Sequence, residues 1–130
     1  MKLLLIEDNE ADRVAIERAF KAASFKGAFL AAEDAEQSWS MIAKETPDLI
    51  ILDLNMPGKD GRQLLKEIKA SQYKRIPVII MTSSTSQSDV CHCYHDSACS
   101  YFSKPMSFQE LKALAKKICD YWSSAQFCRG

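Results

Sequence analysis

An unbroken apolar run at residues 49–52 ends in an aspartate, Asp53, and the chain then turns at Pro57 and Gly58. A short run rich in leucine and isoleucine is typical of a strand covered on both faces, as in the centre of a parallel sheet. The proline and glycine end the strand, so we expect Asp53 at the carboxyl edge of the sheet, where open α/β folds bind ligands. Considered alone, such an aspartate is more often a turn or helix-capping residue.

Apolar runs and amphipathic segments alternate along the chain. The strands are predicted at residues 2–6, 27–31, 49–52, 77–81 and 99–102. A segment of helical periodicity follows each strand, and it is weakest around residues 89–96. This alternation predicts an α/β fold, in which right-handed crossovers place helices on both faces of a parallel sheet and so form three layers.

The last predicted helix has the clearest signals. Ser107 and Glu110 have the spacing of a capping box, which marks the start of a helix. Its apolar stripe consists of Leu111, Ala115, Ile118 and Trp122. An adjacent edge carries Leu114, Ile118, Tyr121 and Ala125. Two interpretations of this wide apolar face remain open, namely a partner that covers it or a broad buried face.

Length and composition limit the classes of function. We expect the 130 residues to form one domain, with no room for a separate output domain. The 17 basic and 17 acidic residues cancel, so no broad electrostatic field favours DNA or an anionic membrane. The apolar runs are too short for a signal peptide or a membrane span, and we expect a cytoplasmic protein. Five unevenly spaced cysteines favour reduced thiols over a disulfide framework.

Polar side chains follow four of the predicted strands. They are Glu7 and Asp8, then Asp53, Thr82 and Lys104. The carboxyl ends of parallel strands share one edge, so we expect these side chains to lie close together. Each has an ordinary alternative role, such as helix capping for the acids or a solvated strand end for the lysine.

The order of these residues along the chain resembles that in the receiver domain of two-component response regulators. Two further features add to the resemblance, namely the M-P-G-x-D-G turn at 56–61 and Lys104-Pro105 after the fifth strand. The resemblance spans almost the entire chain. It implies a flavodoxin-like receiver fold of strand order 2-1-3-4-5 over residues 1–124, followed by a short tail at 125–130. It also implies a stand-alone phosphoacceptor switch that organises its own phosphorylation and dephosphorylation, and not a conventional enzyme.

The resemblance implies that Asp53 accepts a phosphoryl group from a histidine kinase or a small acyl phosphate. Mg²⁺, or alternatively Mn²⁺, is then bound by Asp8, Asp53 and the backbone carbonyl of Asn55. Glu7 reaches the metal through water, and Lys104 faces the phosphoryl oxygens. The physical chemistry agrees, because an anionic donor approaching a carboxylate requires compensating positive charge.

Further roles follow from the same resemblance. Thr82 hydrogen-bonds the transferred phosphoryl group, and its movement lets the switch residue Tyr101 turn inward. A cis peptide bond before Pro105 turns the preceding lysine toward the site. Asn55 and Ser84 flank the path of the hydrolytic water and tune the lifetime of the phosphorylated state.

The surface implied to change is formed by the fourth helix, the fifth strand and the fifth helix. The Asp89-Val90 pair and the terminal Tyr121-Trp122 also resemble small single-domain regulators found with bacterial phytochrome kinases, some of which dimerise through this surface. The implied partners are therefore a phytochrome-like sensor histidine kinase and a second copy of the chain.

Two features depart from the family pattern. Ser97-Ala98 stands where the family usually has glycine before the fifth strand, and a left-handed serine there costs about 1 kcal/mol. The Cys91-His92-Cys93-Tyr94-His95 segment resembles a metal motif, but its spacing fits no standard zinc pattern. On a helix, Cys91 and His95 share a face from which Cys93 is turned away.

Other functions remain open. An aspartyl phosphatase or phosphotransferase is a different class, but the segment after Asp53 lacks the second acid of a D-x-D-x-T loop. A phosphorelay shuttle shares the chemistry of a switch. A phosphorylation-independent interaction module would not need the acids and the lysine at the strand ends.

Overall fold

The computed structural model describes residues 1–128, in which five strands alternate with five helices. In chain order these are β1 (Lys2–Ile6), α1 (Glu10–Ala22), β2 (Ala28–Ala32), α2 (Ala35–Glu45), β3 (Leu49–Leu52), α3 (Gly61–Lys69), β4 (Val78–Thr82), α4 (Gln87–His95), β5 (Ser100–Ser103) and α5 (Phe108–Ser124). The predicted alternation is confirmed, and the predicted strands lie within one residue of the observed ones.

All five strands form one parallel sheet in the order β2-β1-β3-β4-β5. Leu4 of β1 lies opposite Ile50 of β3, and Ile51 of β3 lies opposite Ile79 of β4. The four residues of β3 are fully buried, as expected for a central strand with helices on both faces. The α/β class and the flavodoxin-like strand order are confirmed.

Two hydrophobic clusters cover the faces of the sheet. Alternate strand residues face α2, α3 and α4, among them Leu4, Ile6, Ile50, Leu52 and Ile80. The intervening residues face α1 and α5, among them Leu3, Leu5, Leu49, Ile51 and Ile79. Burying each such side chain stabilises the fold by about 1.5–3 kcal/mol, so the alternation fixes which helices lie on which face.

Polar side chains set where the helices begin. Each N-cap side chain accepts a hydrogen bond from a backbone N–H in the first turn, which satisfies a donor that has no partner within the helix. The caps are Asn9, Asp34, Asp60, Ser86 and Ser107. The predicted start of α5 is confirmed, since Ser107 Oγ accepts from the Glu110 N–H at 3.1 Å.

The stripe predicted for α5 is buried against the sheet. In the adjacent apolar edge, Ile118 is buried and Leu114 and Ala125 are half-buried, whereas the Tyr121 side chain is 64% exposed. The chain itself therefore covers most of this wide face.

The helix α5 ends at Ser124, and the following residues return toward the core. The Phe127 ring stacks on Trp122, with centroids 5.3 Å apart and ring planes inclined by 15°. Residues 129 and 130 of the predicted tail lie outside the described residues. None of the helices described in residues 1–128 combines the length and apolarity that a membrane crossing requires.

The connection from α4 to β5 contains the left-handed residue considered above. Ser97 has φ of 71°, and its N–H donates to the Tyr94 carbonyl at 3.1 Å. The next N–H, of Ala98, donates to the Cys93 carbonyl at 2.9 Å. These bonds hold the helix end in a conformation that glycine adopts without steric cost and serine does not.

We expect Ser97→Gly to stabilise the protein by about 1 kcal/mol, because glycine removes the strain of the left-handed backbone. Urea denaturation measures the change. Ser88→Gly, in the first turn of α4, is the control and should lower stability by up to about 0.5 kcal/mol, because glycine is a weaker helix former than serine. A loss of stability in both variants would contradict the assignment of strain to Ser97.

Candidate functional site

The carboxyl ends of β1, β3, β4 and β5 meet at one edge of the sheet and bring the predicted polar residues together. Carboxylate oxygens of Glu7, Asp8 and Asp53 lie within 4.8 Å of one another. The ammonium nitrogen of Lys104 lies 3.4 Å from Asp53 Oδ2. Thr82 closes β4 at the same edge, and its backbone carbonyl accepts from the Lys104 N–H at 2.8 Å.

Asp53 is held in place by its backbone. Its N–H donates to the Ile6 carbonyl at 3.1 Å, and the residue is only 4% exposed. Gly61, the first residue of α3, packs directly against the same loop. A Cβ on Gly61 would lie 2.6 Å from Leu54 Cα and closer still to the Asp53 carbonyl oxygen. The turn at 56–61 therefore requires glycine where it returns to the strand end.

Glu7 is the most deeply buried of the acids, at 1% exposure. Burial raises the pKa of Glu7 to about 7, the nearby Asp53 charge adds to the increase, and Lys104 opposes it. Glu7 Oε1 lies 2.5 Å from Lys104 Nζ, but this ion pair lacks hydrogen-bond geometry, so the buried oxygen accepts no hydrogen bond.

The residues present fit a hard divalent cation. Mg²⁺ and Mn²⁺ prefer oxygen ligands, and three carboxylates converge here. Mg²⁺ in particular usually retains waters, and such a water could donate to Glu7 Oε1, which otherwise accepts no hydrogen bond. The cluster includes all three predicted acids, whereas direct ligation by Asp8 and Asp53 and the water-mediated role of Glu7 stay predictions. The part expected of the Asn55 backbone carbonyl stays a prediction.

Lys104 supplies the positive charge at the site. Burial alone would lower the pKa of Lys104, but its close contacts with the carboxylates of Asp12 and Glu7 and the charge of Asp53 outweigh burial and raise this pKa. The lysine therefore remains charged at neutral pH.

The prediction of a cis peptide bond before Pro105 is wrong. Residues 1–128 contain no cis peptide bond. The trans isomer is the lower in energy for most X-Pro bonds. Lys104 is fixed through its backbone bond to Thr82, and from this position its long side chain reaches Asp53 without a cis bond.

The residues predicted to act as switch and tuning groups make two separate sets of hydrogen bonds near the end of β4. Thr82 is fully buried, and its Oγ1 accepts from Asn55 Nδ2 at 3.3 Å. The half-buried Tyr101 donates from its hydroxyl to the Ser84 carbonyl at 3.0 Å. Ser84 Oγ in turn donates to Asp89 Oδ2 at 2.6 Å. These contacts connect the β4–α4 loop to β5 and to α4, whereas the switching and tuning roles stay predictions.

Two residues of α1 contribute to the site and were not predicted. Asp12 Oδ2 accepts from Lys104 Nζ at 2.8 Å. Arg13 Nη1 donates to the backbone carbonyls of Glu7 and Asp8 at 3.1 and 3.0 Å. The sequence did contain a signal for these contacts. Only the N-cap residue Asn9 separates Asp8 from the start of α1, and this short connection places the first turn of α1 at the sheet edge.

A further unpredicted contact joins α3 to α4. Arg62 binds Asp89 through two hydrogen bonds of 2.7 and 2.6 Å and also donates to Asp60 at 2.9 Å. Hydrogen bonds from Arg62 and Ser84 lower the pKa of Asp89 to about 2. The two helix starts beside the Asp53 loop are therefore tied together.

The cysteine and histidine residues of α4 do not converge. Cys93 is buried, whereas Cys91 and His95 are exposed, which agrees with the predicted division between helix faces. Among residues 1–128, the acids at the strand ends form the only group of three or more residues with metal-ligand spacing.

Comparison with known proteins agrees with this geometry. Residues 3–116 match the family described as the response regulator receiver domain. The chain is 35% identical over 127 residues to the probable methanogenesis regulatory protein FilR2 of Methanothrix harundinacea, with 92% of this chain and 82% of FilR2 covered. It is 30% identical over 128 residues to response regulator Rcp1 of Synechocystis, with 92% and 87% covered.

Solved structures give the same result. The Mn²⁺-bound form of response regulator Rcp1 matches with a TM-score of 0.87 and 29% identity, covering 98% of both chains. The phosphorylated cyanobacterial phytochrome response regulator RcpA matches with a TM-score of 0.88 and 33% identity, covering 97% of this chain and 96% of RcpA. Because the family match spans most of the sequence, the chain belongs to the response regulator receiver domain family.

Proposed function

We propose that the chain is a stand-alone response regulator that accepts a phosphoryl group on Asp53 in a Mg²⁺-dependent reaction and signals by protein contact. The observation that carries this proposal is the convergence of a buried Asp53 carboxylate, two further acids and one lysine at the strand ends. The donor is a sensor histidine kinase, and the protein acts in the cytoplasm.

In the proposed reaction, a carboxylate oxygen of Asp53 attacks phosphorus while the bond from phosphorus to the donor nitrogen or oxygen breaks. Lys104 stabilises the negative charge on the phosphoryl oxygens. Asp8, Asp53 and the Asn55 carbonyl would hold Mg²⁺, with Glu7 reaching it through water. When bound, the ion supplies positive charge that offsets repulsion between the carboxylate and the donor.

The relatives support the choice of ion and modification. Rcp1 has been crystallised with Mn²⁺, an ion with the same preference for oxygen ligands, and RcpA in a phosphorylated form. Since RcpA is a phytochrome response regulator, we extend the proposal to a phytochrome-like histidine kinase as the donor. The balance of 17 basic and 17 acidic residues supports a protein partner over DNA.

We place the switch in the β4–α4 loop. After phosphorylation, Thr82 Oγ1 would exchange its present contact with Asn55 for a phosphoryl oxygen. Tyr101 of β5 is hydrogen-bonded to Ser84 of this loop, and it would change position when the loop moves. Asn55 and Ser84 border the path of the hydrolytic water and so tune the lifetime of the modification. The resulting change appears on α4, β5 and α5.

Phosphorylation should appear on Asp53 alone. After incubation with Mg²⁺ and acetyl phosphate, intact mass spectrometry of the wild type should show one added phosphoryl group, and Phos-tag electrophoresis a shifted band. Asp53→Asn should show neither, because an amide cannot form the acyl phosphate. Asp120→Asn, an exposed change on α5, should behave as the wild type. An acid-stable adduct that forms without Mg²⁺ on another residue would reject the assignment.

Removing a carboxylate from the acid cluster should weaken metal binding. We expect Asp8→Asn to raise the dissociation constant for Mn²⁺ by about tenfold, which corresponds to about 1.4 kcal/mol, because a charged ligand is lost. Electron paramagnetic resonance of free Mn²⁺ measures the affinity. Asp120→Asn again serves as the control, and equal affinity in the two variants would place the metal elsewhere.

A homodimer through α4, β5 and α5 is the oligomeric form that we propose for the phosphorylated protein. Exposed Tyr94 and Tyr121, at 50% and 64%, offer contact area on this surface. Light scattering after treatment with Mg²⁺ and beryllofluoride should detect the dimer, and Tyr121→Ala should weaken it. Met106→Ala removes a 98% exposed side chain outside these elements and should have no effect. A monomer under all conditions would contradict the dimer.

A further inference from the structure

The ammonium group of Lys104 has more anionic partners than phosphoryl transfer requires. Its nitrogen lies 2.5 Å from Glu7, 2.8 Å from Asp12 and 3.4 Å from Asp53. The ammonium group donates hydrogen bonds to Asp12 and Asp53, and the Glu7 carboxylate contacts it as an ion pair. The acceptor Asp53 is the most distant partner, and Asp12 from α1 is held closer.

A phosphoryl group on Asp53 would add oxygens that need the same lysine, so one existing partner must give way. Glu7 is 1% exposed, and leaving a buried carboxylate without its cation is costly. The Asp12 side chain is 45% exposed and can be hydrated when the contact breaks. Asp12 is therefore the partner that leaves at the lowest cost.

The position of Asp12 is set by its own helix. Its backbone N–H donates to the N-cap residue Asn9 at 2.9 Å, which fixes the first turn of α1 at the sheet edge. An acidic residue in a first turn also stabilises a helix through its dipole, and this effect alone would explain an aspartate here. The contact with Lys104 goes beyond that effect, because it joins α1 to the end of β5.

We propose that Asp12 is a positioning residue that competes with the phosphoryl group for Lys104 and thereby slows phosphorylation of Asp53. In the unphosphorylated protein it draws the ammonium group toward the rim of the site. It neither forms nor breaks a covalent bond, since the phosphoryl group passes directly from the donor to Asp53 and Asp12 exchanges Lys104 for water. This inference rests on the proposed phosphoacceptor role of Asp53.

The test is the initial rate of phosphorylation by acetyl phosphate with Mg²⁺. Asp12→Asn should be roughly two- to fivefold faster than the wild type, which is the factor expected from losing a partly exposed ion pair. Asp12→Glu keeps the charge and should restore a rate close to that of the wild type. Thermal unfolding of each variant shows that the fold is intact.

The matched control is Glu10→Gln. Glu10 is an acidic residue of the same first turn, and within residues 1–128 it forms no ion pair with Lys104. If Asp12 acted only through the helix dipole or the general field, both variants would change the rate alike. The proposal requires a faster rate for Asp12→Asn and an unchanged rate for Glu10→Gln.

A second measurement does not depend on phosphorylation. In metal-free protein, the side-chain ¹⁵Nζ resonance of Lys104 should shift in Asp12→Asn and stay in place in Glu10→Gln. If the wild type is phosphorylated on Asp53 but Asp12→Asn is no faster than Glu10→Gln, or its resonance does not shift, only this inference is rejected. If the wild type takes no phosphoryl group on Asp53, the proposed function fails and the inference fails with it.

Discussion

The concentration of negative charge at one edge of the sheet is the constraint on which the rest of the site depends. A parallel sheet brings the strand ends together whether or not their side chains repel, and here it places carboxylate oxygens of Glu7, Asp8 and Asp53 within 4.8 Å of one another. Among residues 1–128, Lys104 is the cationic residue that forms ion pairs with these acids, namely with Glu7 and Asp53. The raised pKa of Glu7 reflects the cost of burying an acid in this cluster.

The same constraint explains why the surrounding loops are tied by polar contacts. Arg13 holds two carbonyls of the β1–α1 loop, and Arg62 joins the starts of α3 and α4 through Asp89. Charge-assisted bonds of this kind fix the geometry of the loops beside the acids. The apolar clusters stabilise the packing of the helices on the sheet, and these polar contacts stabilise the loops at its edge.

The strands were predictable because each is a short apolar run that ends at a turn, and the strand ends located the acids, Thr82 and Lys104. The isomer of the peptide bond before Pro105 could not be predicted from the sequence, because tertiary context selects it. The contact of Asp12 with Lys104 depends on where α1 begins to within one residue. The start of α4 was predicted about two residues late, since a helix with one buried residue has little periodicity.

The close approach of Gly61 to the backbone of Asp53 and Leu54 has a mechanical consequence. Side chains between two packed elements can change rotamer and absorb a small displacement. Here the backbone of Gly61 packs directly on the backbone of Asp53 and Leu54, and no side chain lies between them. A shift of the Asp53 backbone of a few tenths of an ångström would therefore be passed to the first turn of α3 almost undiminished. The helix α3 would then move with the Asp53 loop as a rigid body.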